Sequence, residues 1–497
     1  DGAIRRYVVL ERGGMRFGIF GLLGKEAVFY TSGAGAVTFL DAIETAKEMV
    51  KVLREMEKVD VVICLSHGGL EKGTDGRFTE GEDVRLVKAV PGIDVVIGGH
   101  THTVDVLAGG RRWAVDTGFI VYNDLTYPNF VALLDELGVE SQPSDMSFSV
   151  SDRRSGLEYN GASLNALFAQ RSNLLRPTFH RMLRDILRFN REAPALLQSR
   201  NDANTLGEYL QAGGYSPGFI EHYIVPMGAA IWSASLQGVL DMPAAFFVRF
   251  FHNHGLLSVN DRPAWRVIKG GSRRYVEKLV AGHRDRIRLN TPVHWIRRHP
   301  GHIEVKARGA EPVRYDRVFM ACHSDQALRL LTDPTPQERD VLGAIEYQVN
   351  EAVLHTDASL MPRRRRAWAA WNVHVPAAGW QGPDKVALTY NMNILQGLDA
   401  PVEFCVTLND SAAMDPAKII QSIEYAHPIF TERAVAAQRR QREINGAHRT
   451  YFCGAYWRNG FHEDGVVSAL DALEHFYEDL PEAGLCANEQ RYLLRTG

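Results

Sequence analysis

The stretch from Val59 to His100 constrains the fold more than any other, because it sets out the same arrangement twice. An apolar strand, Val59-Asp60-Val61-Val62-Ile63-Cys64-Leu65, runs directly into Ser66-His67-Gly68-Gly69. After a polar loop and a short helix over 82–89, a second strand, Ile93-Asp94-Val95-Val96-Ile97, runs into Gly98-Gly99-His100. Strand, helix, strand in this order is a parallel unit, and in open α/β sheets ligands bind beyond the carboxyl ends of the strands, where both histidine-bearing loops emerge. Upstream, residues 39–57 place apolar side chains at helical spacing between charges, which predicts an amphipathic helix. Two apolar runs between Tyr7 and Phe20, joined by Arg12-Gly13-Gly14, predict a hairpin. The fold class expected is α/β.

Past residue 103 the character changes. Residues 104–115 alternate around Gly109-Gly110 as a hairpin, and Asp116-Thr117-Gly118-Phe119 follows. The long stretch 129–250 is rich in helix-forming, arginine-studded and aromatic segments, and Lys269-Gly270-Gly271 closes it ahead of a helix expected from Tyr275 to Ala281. Strands are expected again at Ile287–Ile296, Ile303–Ala307 and Arg317–Cys322, with no repeat or low-complexity linker between the segments.

At 497 residues the chain can hold roughly two to four domains. With 45% apolar residues and a net charge of −3 it is neither a disordered nor a polyanion-binding chain, so nucleic acid is not an expected partner. No apolar window is long enough for a transmembrane helix, and the N-terminus carries no signal-peptide pattern. Five scattered cysteines without a CxxC pair read as reduced thiols, which points to the cytoplasm.

The strings Leu65-Ser66-His67-Gly68-Gly69 and Val90-Pro91-Gly92-Ile93-Asp94-Val95-Val96-Ile97-Gly98-Gly99-His100-Thr101-His102-Thr103 resemble the catalytic domain of the 5′-nucleotidase family of metallophosphoesterases. That resemblance implies a pair of divalent metals, Mn or Zn, with His67 and His100 on one and His102 on the other. The chemistry asks for two metals clamping a phosphate and generating a hydroxide, and two close dications need anionic ligands between them. The carboxylate-bearing motifs of the family's first half are not found before Asp60. Residues 1–103 therefore read as a partial metallophosphoesterase segment. Gly33-Ala34-Gly35-Ala36-Val37-Thr38 has the outline of a dinucleotide-binding turn, but no acidic residue ends the next strand to hold a ribose.

From Gly98 onward the chain resembles the flavin-containing amine oxidase superfamily, closest to a bacterial group of FAD/NAD-binding oxidoreductases. The main carrier is Tyr451-Phe452-Cys453-Gly454-Ala455-Tyr456 followed by Gly460-Phe461-His462-Glu463-Asp464-Gly465-Val466: a buried strand, a glycine turn and a helix expected to begin near Gly465. A helix amino end beside a flavin stabilises negative charge on its pyrimidine edge. The resemblance implies FAD as cofactor, contacted by Gly454, Gly465 and Val466, with Glu463 and Asp464 accepting from ribityl hydroxyls. It further implies Gly98 and Gly99 against the phosphates and Val293 against the adenine. Ala455 stands where many members carry an acid. The family's GxGxxG fingerprint is not found in the forty or so residues before Gly98, where the phosphoesterase-like strand stands instead.

The domain reading is 1–103 for the partial phosphoesterase and 104–497 for an amine-oxidase-like region, with a helix-rich plus β substrate part at about 129–265 and cofactor parts at about 266–330 and 445–480. The function expected is hydride transfer from an apolar, amine or lipid-like small molecule to flavin. The alternatives are a metal-dependent phosphohydrolase and an inactive hybrid of two incomplete domains. The run Arg363–Arg366 beside Trp368 and Trp371 reads as a solvated loop or as a peripheral contact with anionic lipid. His252 and His254 lack acidic neighbours for a metal. Tyr390, Asn391 and Asn393 face either the sheet core or the flavin.

Overall fold

A computed structural model describes residues 8–12, 15–23, 61–67, 101–198, 204–258, 263–288, 291–375 and 385–479. Strands β1 (Val8–Arg12) and β2 (Met15–Leu23) form the expected first hairpin, with Arg12 opposite Met15. Strand β3 (Val61–His67) lies parallel to β2 and runs on through His67, where the sequence predicts the following loop. The helices expected over 39–57 and 82–89, the strand Ile93–Ile97 and the turn Gly33–Thr38 lie outside the described residues.

Strands β4 (Thr103–Ala108) and β5 (Arg111–Asp116) form the next hairpin. Gly109 and Gly110 have φ of 59° and 76°, the two left-handed residues that a two-residue turn between twisted strands requires. Then come β6 (Val121–Asn123), helix α1 (Pro128–Glu136), β7 (Ser141–Pro143), β8 (Phe148–Asp152) and β9 (Leu157–Asn160). The last three strands fall in the stretch read as helix-rich. The alternation Phe148-Ser149-Val150-Ser151 and the turn residues Asp152 to Gly156 carried the strand signal, and the helical neighbours outweighed it.

Helices α2 (Pro177–Glu192), α3 (Val225–Trp232) and α4 (Ala244–Asn253) supply the helical bulk. Helix α2 buries Phe179, Met182 and Phe189 and leaves Arg181 and Arg184 exposed, the division that its amphipathic spacing dictates. Strand β10 (Trp265–Ile268) pairs between β6 and β7, and Gly270 and Gly271, with φ of 82° and 93°, turn the chain into α5 (Arg273–Leu279). Strands β11 (Val293–Arg298), β12 (Ile303–Ala307) and β13 (Val313–Tyr315) form an antiparallel meander, followed by β14 (Val318–Met320) and helix α6 (Pro336–Leu342).

The C-terminal part adds β15 (Tyr347–His355), β16 (Trp371–Val375), β17 (Ala387–Asn391), β18 (Cys405–Leu408), β19 (Ile419–Pro428), β20 (Thr450–Phe452) and helix α7 (His462–Glu478). Seven strands form one sheet in the order β19-β15-β18-β17-β16-β8-β9, antiparallel except where β16 meets β8. Strand β20 returns to pair in parallel with β14, Phe452 opposite Met320. The fold is thus α/β, as expected, and its largest sheet is mixed.

Two cores follow from this arrangement. The larger joins the seven-stranded sheet, through residues such as Val373, Leu388 and Val406, to the aromatic faces of α2, α3 and α4. The smaller joins Ile296, Ile303 and Met320 to Val341, Leu342 and Phe452. Arg298 on β11 and Glu338 on α6, both with fully buried side chains, lock this second core with two hydrogen bonds of 2.5 and 2.9 Å. Among the described residues no helix is long and apolar enough to cross a membrane.

Candidate active site

Residues from both cores and from α7 line one cavity of about 2220 Å³. Pockets for drug-sized ligands run to roughly 1,000 Å³, so this one has room for a dinucleotide-sized molecule and a second ligand beside it. Its wall is mostly apolar. Met227, Ile231, Phe250, Trp371 and Tyr390 contribute from the larger core, Val293 from β11, Phe319 from β14, and Leu470 and Leu473 from α7. In this last group Val293 is 38% exposed, Leu470 42% and Leu473 39%, an unusual state for apolar side chains directed at an internal wall.

The link from β20 to α7 shapes part of that wall. Strand β20 is wholly buried and ends at Gly454, whose φ of 154° only glycine adopts readily. A Cβ there would stand 2.5 Å from the Tyr456 ring, and its amide donates to Ser468 Oγ at 2.8 Å. Helix α7 begins at His462, three residues before the expected start, because the Asp464 carboxylate accepts the Phe461 amide at 2.9 Å and closes the first turn from within. Burial pushes the Asp464 carboxyl up to about 6. Glu463 accepts the Asn129 and Phe130 amides at 3.1 and 2.9 Å and the Asn129 side chain at 2.7 Å, so the first turn of α7 supplies the anion that caps α1. Of the residues expected at a cofactor, Gly454, Gly465, Val466 and Val293 line the cavity. The oxygens of Glu463 and Asp464 are engaged by protein amides. Gly98 and Gly99 lie outside the described residues.

Thr101, His102 and Thr103 are tied into the same region. Thr101 Oγ1 stands 2.6 Å from the Tyr275 hydroxyl and 3.1 Å from His462 Nε2. His102 Nδ1 is 2.6 Å from Thr117 Oγ1, which is itself 3.1 Å from the Tyr425 hydroxyl. Thr103 donates to Asp116 at 2.5 Å. Asp116 is fully buried and also accepts from the Ser272 amide and hydroxyl, both at 2.9 Å, and from Gln396 Nε2 at 2.9 Å. Burial pushes its carboxyl up to about 6 against these donors. Among the described residues no carboxylate joins His102 in a metal-binding group, His100 lies outside them, and for His67 only the strand position is described.

Several groups at the cavity carried little sequence signal. The Phe119 ring stacks on His462 at 3.7 Å and 12°, with Phe130 edge-on at 5.3 Å to both. His254 is stacked on Phe250 at 3.8 Å, and its Nδ1 donates to the Phe250 carbonyl at 3.0 Å, leaving Nε2 as the acceptor. Burial pulls this imidazole down to about 4, so it is neutral at physiological pH. Tyr390, left open by the sequence between core and ligand, lines the cavity. Asn391 instead caps the turn at Ile394, and Asn393 donates to the Val402 carbonyl. In the basic run, Arg364 pairs with Glu158 at 2.8 Å and Arg365 with Glu403 at 3.1 Å, the latter lying over the Trp368 ring at 4.4 Å.

The family model for flavin containing amine oxidoreductases matches residues 94–369. The chain belongs to that family. Among solved structures similar to this chain are the cyclohexylamine oxidase of Brevibacterium oxydans IH-35A and a CLA-producing fatty acid isomerase from P. acnes. The first is 14% identical with a TM-score of 0.55, covering 93% of this chain and 99% of that one. The second is 13% identical with a TM-score of 0.55, covering 94% and 100%. At such identities the likeness is one of fold.

Curated relatives of a different family match shorter parts of the chain. The trifunctional nucleotide phosphoesterase YfkN of Bacillus subtilis (strain 168) is 31% identical over 167 residues, 34% of this chain and 10% of that protein. The apyrase of Tabanus yao is 41% identical over 102 residues, 20% of this chain and 17% of that protein. The chain thus spans about a sixth of these relatives at most, and resemblances to two families meet in it, as expected of a chimera.

Membership of this family implies a flavin cofactor. The described residues fit its ring system: a glycine at 454 where a Cβ has no room, the amino end of a 17-residue helix at the cavity, and apolar side chains left part-exposed at its wall. A glycine-rich strand–turn–helix for a pyrophosphate does not occur among the described residues.

Proposed function

We propose that the chain is an FAD-dependent oxidoreductase of amine-oxidase type acting on an apolar small molecule, an amine or a lipid-like compound. The observation that carries this reading is that the Gly454–Gly465 segment and the apolar wall of Met227, Ile231, Trp371 and Tyr390 line the same cavity. When bound, the flavin supplies the acceptor for a hydride equivalent. Gly454, Gly465 and Val466 hold its ring end, Val293 its adenine end and Gly98-Gly99 its phosphates, while Glu463 and Asp464 position the amino end of α7. The apolar wall binds the substrate and excludes water. His254, neutral and with Nε2 as its acceptor, takes a hydrogen bond from a substrate amine.

The division into residues 1–103 and 104–497, with substrate and cofactor parts as above, belongs to the same proposal. So does a cytoplasmic location, to which the free thiols of Cys322, Cys405 and Cys453 are suited. A peripheral lipid contact at Arg363 and Arg366 is supported by Leu164, 77% exposed, on the short helix that packs against this run.

The test is cofactor uptake. Purified protein, incubated with FAD and passed over a desalting column, should retain visible flavin absorbance, and Gly454→Ala should lose it. A wild-type chain that stays colourless after reconstitution overturns the proposal. The similarity to nucleotide phosphoesterases favours a second reading, hydrolysis with Mn or Zn held by His67, His100 and His102. Metal-dependent phosphate release from nucleotides that vanishes in His67→Ala would support it.

A further inference from the structure

The turn between β11 and β12 carries a group of side chains to which neither flavin nor phosphate chemistry assigns a role. His299 and His302 flank Pro300-Gly301, and the His299 amide donates to the His302 carbonyl at 2.8 Å, which pins the turn. Their imidazoles stack at 4.5 Å and 14°. His299 Nε2 stands 3.3 Å from one oxygen of Glu304, and His302 Nε2 stands 3.7 Å from the other. Both Nε2 atoms are shielded from water, and neither makes a well-aligned hydrogen bond.

Two imidazole nitrogens and a carboxylate, all within 4.8 Å of one another, form the one such group among the described residues. Zinc bonds to imidazole nitrogen and carboxylate oxygen are about 2.0–2.2 Å, so neighbouring ligand atoms of a tetrahedral site stand about 3.4 Å apart. The two distances to Glu304 bracket that value. We propose that His299, His302 and Glu304 form a site for a zinc-class divalent cation, with water in the remaining position. Imidazole and carboxylate together suit Zn²⁺ and its first-row neighbours, whereas Ca²⁺ and Mg²⁺ take oxygen ligands. Arg314 Nε lies 3.6 Å from Glu304, but its side chain is 74% exposed and free to swing away when the cation arrives. The cation ties both ends of the turn to β12 and is a structural clasp on the meander that begins at Val293.

The test is a Zn²⁺ titration of the full chain in a non-chelating buffer at neutral pH, beside the His299→Ala/His302→Ala double variant and Glu304→Gln. Because the turn is part-exposed, the variants should match the wild type in circular dichroism and metal-free melting. The wild type should bind one equivalent more than the double variant, and Glu304→Gln should bind that equivalent more weakly. Zn²⁺ should raise the melting temperature of the wild type more than that of the double variant. Co²⁺ in place of Zn²⁺ should give the intense visible bands of a four-coordinate site, absent from the double variant. Equal uptake by wild type and double variant overturns the proposal, whatever the histidines of residues 1–103 bind.

Discussion

Asp464 shows how one buried carboxyl can be read in two ways. In the sequence it stands beside Glu463 in a loop, available to sugar hydroxyls; in the structure it is the third residue of a helix and holds the Phe461 amide. Its carboxyl rises from 3.8 to about 6, a gap equivalent to roughly 3 kcal/mol. A raised carboxyl binds its proton more tightly in the folded chain than in the unfolded one. Its contribution therefore favours folding near pH 4 and is lost as pH rises through 6. Relative to wild type, Asp464→Asn should gain stability between pH 4 and pH 6, by up to about 3 kcal/mol in urea denaturation. A difference that does not change with pH would show that Asp464 is not the titrating group. Glu463 acts across a far greater separation, capping a helix 333 residues away in sequence. Glu463→Ala leaves two helix amides without their acceptor and should cost about 1–3 kcal/mol, read from the urea midpoint.

Among the elements, the ones legible in the sequence were those whose signal is local. The β4–β5 hairpin declares itself through Gly109-Gly110, and β12 through an alternation that reproduces its bounds, Ile303–Ala307. Strands β8 and β9 pair locally as a hairpin, but the partner that carries β8 into the large sheet, β16, comes more than two hundred residues later, and nothing local records that second pairing. The same limit hides Asp116, on which Thr103, Ser272 and Gln396 converge without a local signal. Helix α6 illustrates what such distant partners are worth. Glu338 caps its own helix by accepting the Thr335 amide, and it also neutralises Arg298 on β11, both side chains being fully buried. Glu338→Ala would strand the guanidinium in the core and should destabilise the chain by about 3–5 kcal/mol, a loss that denaturant unfolding would detect. An Arg298→Met/Glu338→Leu pair should recover much of it, since apolar replacements of similar volume avoid the stranded charge.

At the scale of the molecule, the string Gly98-Gly99-His100-Thr101-His102-Thr103 fits the sequence motifs of two families. The described half of it sides with one. Thr101, His102 and Thr103 each bond to residues beyond 115, and the family match begins at residue 94. What the sequence does not convey is how widely the described part of the cavity wall is dispersed, drawing on segments scattered from Thr117 to Leu473. A wall built from so many segments couples ligand binding to global stability. FAD at a hundred times its dissociation constant should stabilise the chain by about 2.7 kcal/mol. Thermal midpoints should therefore climb with FAD concentration, and a midpoint indifferent to FAD would count against a preformed site.

The knot at Asp116 also has a consequence for biosynthesis. Its partners Ser272 and Gln396 lie 156 and 280 residues downstream. A chain emerging from the ribosome carries this carboxylate with Thr103 of its own hairpin as partner, gains Ser272 later, and completes the set only after residue 396 has left the exit tunnel. The early hairpin then waits on the late loop, and nascent chains halted before that residue should be held open, with β4 and β5 exposed to chaperones and proteases.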